Sequence, residues 1–98
     1  MDTRLEQAVR QKKADVLRLA AKHGARNVRL FGSVARGESN DASDLDFLVE
    51  LEQGRSLLDH VGLQQDLSDL FGRPVDVVLE GGVSPHLAEV IFREAVPL

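Results

Sequence analysis

The stretch that decides the fold is NVRLFGSVARGESNDASDLDFLVEL, from Asn27 to Leu51. Asn27 to Phe31 alternates polar and apolar residues and is short, so it reads as a strand. Gly32-Ser33 turns the chain, and Ser33 to Gly37 is expected to form one short helical turn. Glu38 to Ser43 has the composition of a loop. Leu45 to Leu51 is a second strand, with Asp44 at its entrance and Asp46 inside it.

Helix signals flank this stretch. Upstream, Thr3 and Glu6 have capping-box spacing and predict a helix over 4–23. Its polar middle, Arg10 to Asp15, is a place where it can bend, and Gly24 suits the left-handed residue beyond its end. Downstream, Ser56 caps a helix running to Phe71, with Leu57, Val61, Leu63, Leu67, Leu70 and Phe71 near helical spacing. Gly72 and Pro74 end it, Val75 to Leu79 is a β-branched strand, and Gly81-Gly82 is a turn. Ser84 and Pro85 then start a last helix, with Leu87, Val90, Ile91 and Ala95 as its inward residues. This order predicts an α/β (α+β) fold over residues 1–98 as one domain. It would be a small mixed β-sheet with helices packed mainly on one side.

Composition narrows the function classes. The chain has 98 residues, 43% of them hydrophobic and 29% charged, and no cysteine. Disulfides, thiolate metal sites and cysteine nucleophiles are therefore excluded. No apolar run approaches the roughly 20 residues of a membrane span. The first residues, MDTRLEQAVRQKK, lack the apolar core of a secretory signal, so a cytoplasmic location is expected. Net charge is −4, unevenly placed: residues 1–40 carry nine Lys or Arg against four Asp or Glu, and residues 41–98 carry three against twelve. The overall acidity argues against direct nucleic-acid binding by the surface as a whole.

Three features carry chemistry. Gly32-Ser33 after a strand can bring backbone N–H groups and a hydroxyl close to an anion, although such a pair also serves as a plain turn. Asp44 and Asp46 have the i, i+2 spacing that shares one face of a strand. Two adjacent carboxylates repel unless a cation compensates them, and a hard divalent ion does so; a loop aspartate beside a solvent-exposed one is the simpler alternative. Asp76 interrupts an apolar strand. It is therefore exposed, paired with a cation, or part of a metal site.

Together these residues resemble a known family. Gly32-Ser33-Val34-Ala35-Arg36-Gly37, five further residues and Ser43-Asp44-Leu45-Asp46 match the pattern G-S-x-A-R-G-x5-S-D-x-D. That pattern is the signature of the minimal nucleotidyltransferases, small members of the DNA polymerase β-like superfamily. The resemblance covers roughly residue 14 to the C-terminus, and Asp76 matches the family's third carboxylate. It implies that Asp44, Asp46 and Asp76 are catalytic and bind one or two Mg²⁺ ions. It also implies that Gly32 and Ser33 hold the β- and γ-phosphates of a nucleoside triphosphate. Arg36 would contact phosphate or brace the loop by an ion pair, and Ser43 would cap the turn that presents Asp44.

The resemblance further implies a reaction and a partner. Members of this kind are commonly paired with a small helical HEPN-family toxin, to which the antitoxin transfers AMP from ATP. The expected function is thus Mg²⁺-dependent nucleotidyl transfer to a partner protein. Two alternatives are a catalytically idle module that neutralises its partner by contact, and transfer to a small molecule. His23, His60 and His86 are expected at surface or cap positions. Glu50, Glu52 and Glu80 lie near strand ends and receive no role. With four Phe and no Trp or Tyr, stacking of several bases on aromatic rings is not expected.

Overall fold

The computed structural model describes residues 4–32, 35, 44–82 and 85–98. Two helices, α1 (Arg4–Gln11) and α2 (Lys13–Lys22), lead into strand β1 (Ala25–Phe31). Then come β2 (Leu45–Leu51), α3 (Leu57–Phe71), β3 (Val75–Leu79), a 3₁₀ turn (Glu80–Gly82), α4 (Pro85–Glu94) and β4 (Val96–Pro97). The sheet order is β3-β2-β1-β4, with β2–β3 parallel and both β1 pairings antiparallel. The predicted mixed sheet is therefore present.

The expected first helix divides at Lys12, inside its polar middle. Ser56 caps α3 as predicted, and the Ser56 N–H donates to the Asp59 carboxylate to complete the box. Gly72 ends that helix at φ +64°. Gly81-Gly82 lies in the 3₁₀ turn. The strand β4 is an addition: two residues containing a proline carry no alternation for a sequence reading to find.

One face of the sheet packs on α1, α2 and α3. Leu45, Phe47 and Val49 of β2 join Val75 and Val77 of β3, Val28 and Leu30 of β1, Val9, Val16 and Ala20, and Leu63 and Leu67 in one buried core. The Phe47 and Phe71 rings stack at 6.2 Å between centroids. A β-bulge keeps β1 in phase with this face. Between Arg26 and Arg29 the register slips by one residue, with Asn27 in the left-handed region at φ +53°. The slip turns Val28 and Leu30 to the core and Arg29 and Phe31 to the opposite face.

One expected inward position is corrected: Val90 of α4 is exposed. Leu57 and Val61 have the helical spacing but are 73% and 56% exposed, and the part of α3 that joins the buried core begins at Leu63. No helix among the described residues is long and apolar enough to cross a membrane.

Candidate active site

The face opposite the three helices bears the acids. In β2 the alternation that buries Leu45, Phe47 and Val49 sends Asp46, Leu48 and Glu50 to this other face. In β3 the same alternation buries Val75 and Val77 and leaves Asp76 exposed. The parallel register pairs Asp46 directly with Asp76, so the two carboxylates share a face on neighbouring strands. On its other side Asp46 pairs with Phe31, the residue before Gly32. Asp44 is exposed two residues upstream, just where the Leu45 N–H donates to the Pro74 carbonyl and begins the β2–β3 ladder.

Gly32 approaches Asp46 closely because it has no side chain. Its φ is +81°, and a Cβ there would fall on Asp46 Oδ2 and lie 3.2 Å from Asp46 Cγ. The glycine thus serves twice. It takes a backbone conformation that L-residues avoid, and it lets the main chain lie against a carboxylate. Of the sequence-named site residues, the structure brings together Gly32, Asp46 and Asp76 and places Asp44 near them. Ser33, Arg36 and Ser43 lie outside the described residues.

The donor set fits a hard divalent cation, which prefers carboxylate oxygens. Asp46 and Asp76 provide such oxygens side by side. Among the described residues no three acidic or histidine side chains converge closely enough to hold a metal ion, so Asp44, exposed just before β2, does not close on the pair.

The far end of the same face is built differently. Arg29, only 13% exposed at its side chain, donates to Glu80 at 2.6 Å, and its guanidinium lies 5.9 Å from the centre of the Phe92 ring of α4. Glu50 accepts from Asn27 Nδ2 and Arg26 Nε, both at 3.2 Å. Those bonds, the Asn27 amide first, hold its carboxyl below the ordinary glutamate range. Glu52 pairs with Arg55 at 3.4 Å. All three glutamates are thus tied to the chain's own cations.

His23 is the C-cap of α2, as expected, and its largely buried ring also bonds Asp66 Oδ2 at 2.7 Å as an interhelical tie. That bond is the first cause of an Asp66 carboxyl held below its usual value. The expectation is corrected for His60, which is half-buried and reaches the Val77 carbonyl at 2.5 Å. The His86 side chain lies outside the described residues. Sequence reasoning also missed that His60, Gln64 and Ser68 all grip β3. Their i, i+4, i+8 spacing on one helix was the available signal.

Known proteins resemble this chain over most of its length. The model of the nucleotidyltransferase domain family matches residues 6–98. Protein adenylyltransferase MntA of Thermococcus cleftensis is 37% identical over 78 residues, covering 80% of this chain and 79% of that protein. A candidate protein adenylyltransferase of Methanocaldococcus jannaschii is 40% identical over 84 residues, covering 86% and 90%. A solved structure described as a candidate minimal nucleotidyltransferase superposes with a TM-score of 0.86 at 51% identity, over 100% of this chain and 97% of the other. A toxin–antitoxin crystal structure with AMP-PNP superposes with a TM-score of 0.74 at 21% identity, over 86% and 69%, a likeness of fold.

Proposed function

The chain belongs to the nucleotidyltransferase domain family, and from that membership we propose that it moves AMP from ATP to a hydroxyl of a partner protein. The observation that carries the reading is the register that sets Asp46 beside Asp76, with the Gly32 backbone against Asp46. The relatives named protein adenylyltransferases support adenylate as the transferred group and protein as the acceptor.

Each residue then has a task. Gly32 and Ser33 hold the β- and γ-phosphates, with N–H groups and a hydroxyl as donors. Arg36 neutralises phosphate charge, and Ser43 shapes the turn before Asp44. Asp44, Asp46 and Asp76 would hold Mg²⁺, which when bound offsets charge on the triphosphate and favours ionisation of the acceptor hydroxyl. Asp76 stands on the acceptor side and takes the hydroxyl proton. The acceptor oxygen forms a bond to the α-phosphorus, the bond to the β-phosphate bridging oxygen breaks, and pyrophosphate leaves. Positioning and charge neutralisation supply most of the rate.

We place this activity in a single cytoplasmic domain over residues 1–98, acting as the antitoxin of a two-component pair. The toxin–antitoxin assemblies with the same fold support that setting, and a small helical HEPN-family toxin is the partner proposed. A second reading, neutralisation by contact alone, is favoured by the exposed Leu57, Leu58 and Val61 on one end of α3.

The test is incubation with α-labelled ATP and Mg²⁺, with and without the protein encoded beside this one, then intact mass of both chains. An AMP adduct on the neighbour that is lost in Asp44→Asn and Asp76→Asn supports transfer. A stable complex with no adduct would favour the contact reading.

A further inference from the structure

β3 is an edge strand, since the sheet order begins with it. An exposed edge offers unpaired backbone groups. Here one helix covers them. The Val75 N–H donates to Ser68 Oγ at 3.1 Å, the Val77 N–H donates to Gln64 Oε1 at 2.9 Å, and His60 Nε2 donates to the Val77 carbonyl at 2.5 Å. The two bonded residues flank Asp76.

The spacing explains why one helix can do this. Gln64 and Ser68 are four residues apart on α3, a rise of about 6 Å. Val75 and Val77 are two residues apart on β3, a rise of about 6.6 Å. Side chains one helical turn apart therefore meet alternate strand residues with little mismatch. They hold the outward backbone groups on both sides of Asp76, while the β2 pairing fixes the other edge.

We propose that Gln64 and Ser68, with His60 behind them, are positioning residues for Asp76, fixing where its carboxylate stands relative to Asp46. This rests on the reading of Asp76 as a site residue. A strand edge anchored on only one side can slide or twist, and a displacement near 1 Å at a reacting group costs on the order of 100-fold in rate.

The experiment compares two double variants of the full chain, each assayed well below its measured melting temperature. Gln64→Met with Ser68→Ala keeps similar bulk and removes both acceptors. Gln64→Glu with Ser68→Thr keeps both acceptors. The first pair is expected to lower kcat for AMP transfer by about 10- to 100-fold, with KM for ATP within about twofold. The second pair is expected to recover the wild-type kcat to within about threefold. The independent readout is the NMR signal of the Asp76 amide titrated with Mn²⁺ and ATP. Paramagnetic broadening is expected in the wild type, and weaker broadening in the Met/Ala pair, whose Val75 and Val77 amides should exchange faster with solvent.

Faster exchange at those amides with unchanged kcat and unchanged broadening would overturn the inference while leaving the site reading standing. Equal loss of kcat in both double variants would also overturn it. No broadening at Asp76 in the wild type would overturn the site reading itself, and the inference with it.

Discussion

Replacing Gly32 with alanine tests the contact on which the site depends. Two costs are expected. The φ of +81° imposes on an L-residue a strain of about 1–2 kcal/mol, offset by roughly 0.4–1 kcal/mol because alanine restricts the unfolded chain. The new Cβ also meets Asp46 Oδ2 and stands 3.2 Å from Asp46 Cγ, an overpacking of about 1–3 kcal/mol unless the carboxylate moves. Gly54 separates these terms, because its φ is +89° and nothing lies within 4 Å of its ideal Cβ. Gly54→Ala should therefore cost only the strain, about 1 kcal/mol or a few degrees of melting temperature. Gly32→Ala should cost about 2–4 kcal/mol and lower AMP transfer by on the order of 100-fold. Urea unfolding of both variants and a transfer assay well below their midpoints decide the matter. Equal stability loss with transfer abolished only in Gly32→Ala would mean that Asp46 swings aside. Equal stability loss with transfer intact would refute the argument that Gly32 is there for Asp46.

Gly62→Ala should lower stability by about 1 kcal/mol or more, despite the usual helical gain, because its Cβ would stand 2.7 Å from His23 Cε1 and push that ring off Asp66; thermal melting checks it. Asp66 has a lowered carboxyl pKa, so its contribution is present above the ordinary value of 3.8 and is lost as pH falls through the folded value. The stability difference between wild type and Asp66→Asn should therefore shrink as pH falls through the folded carboxylate value, as urea midpoints against pH would show. Millimolar Mg²⁺ with ATP should raise the melting temperature by linkage, and Asp76→Asn should blunt that rise. Glu80→Gln should lower stability by weakening the ion pair with Arg29, yet leave the AMP-transfer rate unchanged within about twofold.

Much of this molecule was legible in the sequence, for identifiable reasons. β2 and β3 begin and end where the sequence places them, because their runs are bounded by Asp44 and Glu52 and by Pro74 and Glu80. The start of α3 was equally plain from Ser56. The bulge at Asn27 was not, because its signal is a single asparagine whose left-handed conformation is decided by partners across the sheet. Leu57 and Val61 fit a helical stripe but stand outside the core, since periodicity tells which face is apolar and not how far along the helix the sheet extends. Asp46 and Asp76 could each be singled out as acids in strands. That they are register partners depends on a crossover through α3, which no local pattern contains.

On the opposite face of the sheet, acids of equal spacing meet different surroundings. β2 presents Asp46 and Glu50 four residues apart on that face, and β3 leads likewise from Asp76 to Glu80. Leu48 and Val78, themselves register partners, lie between the two acidic levels. By residue type and spacing the levels are equivalent. Their surroundings are not. The bulge delivers Arg26 and Asn27 to Glu50, and the residue just after it, Arg29, reaches Glu80. At the Asp46 level β1 ends, and the next residue is Gly32, whose bare Cα leaves room for the carboxylate. One strand therefore sets both outcomes. Its irregular beginning supplies cations that turn two glutamates into supports for the sheet and α4. Its glycine exit lets the backbone lie against Asp46, at the level where the proposed site stands.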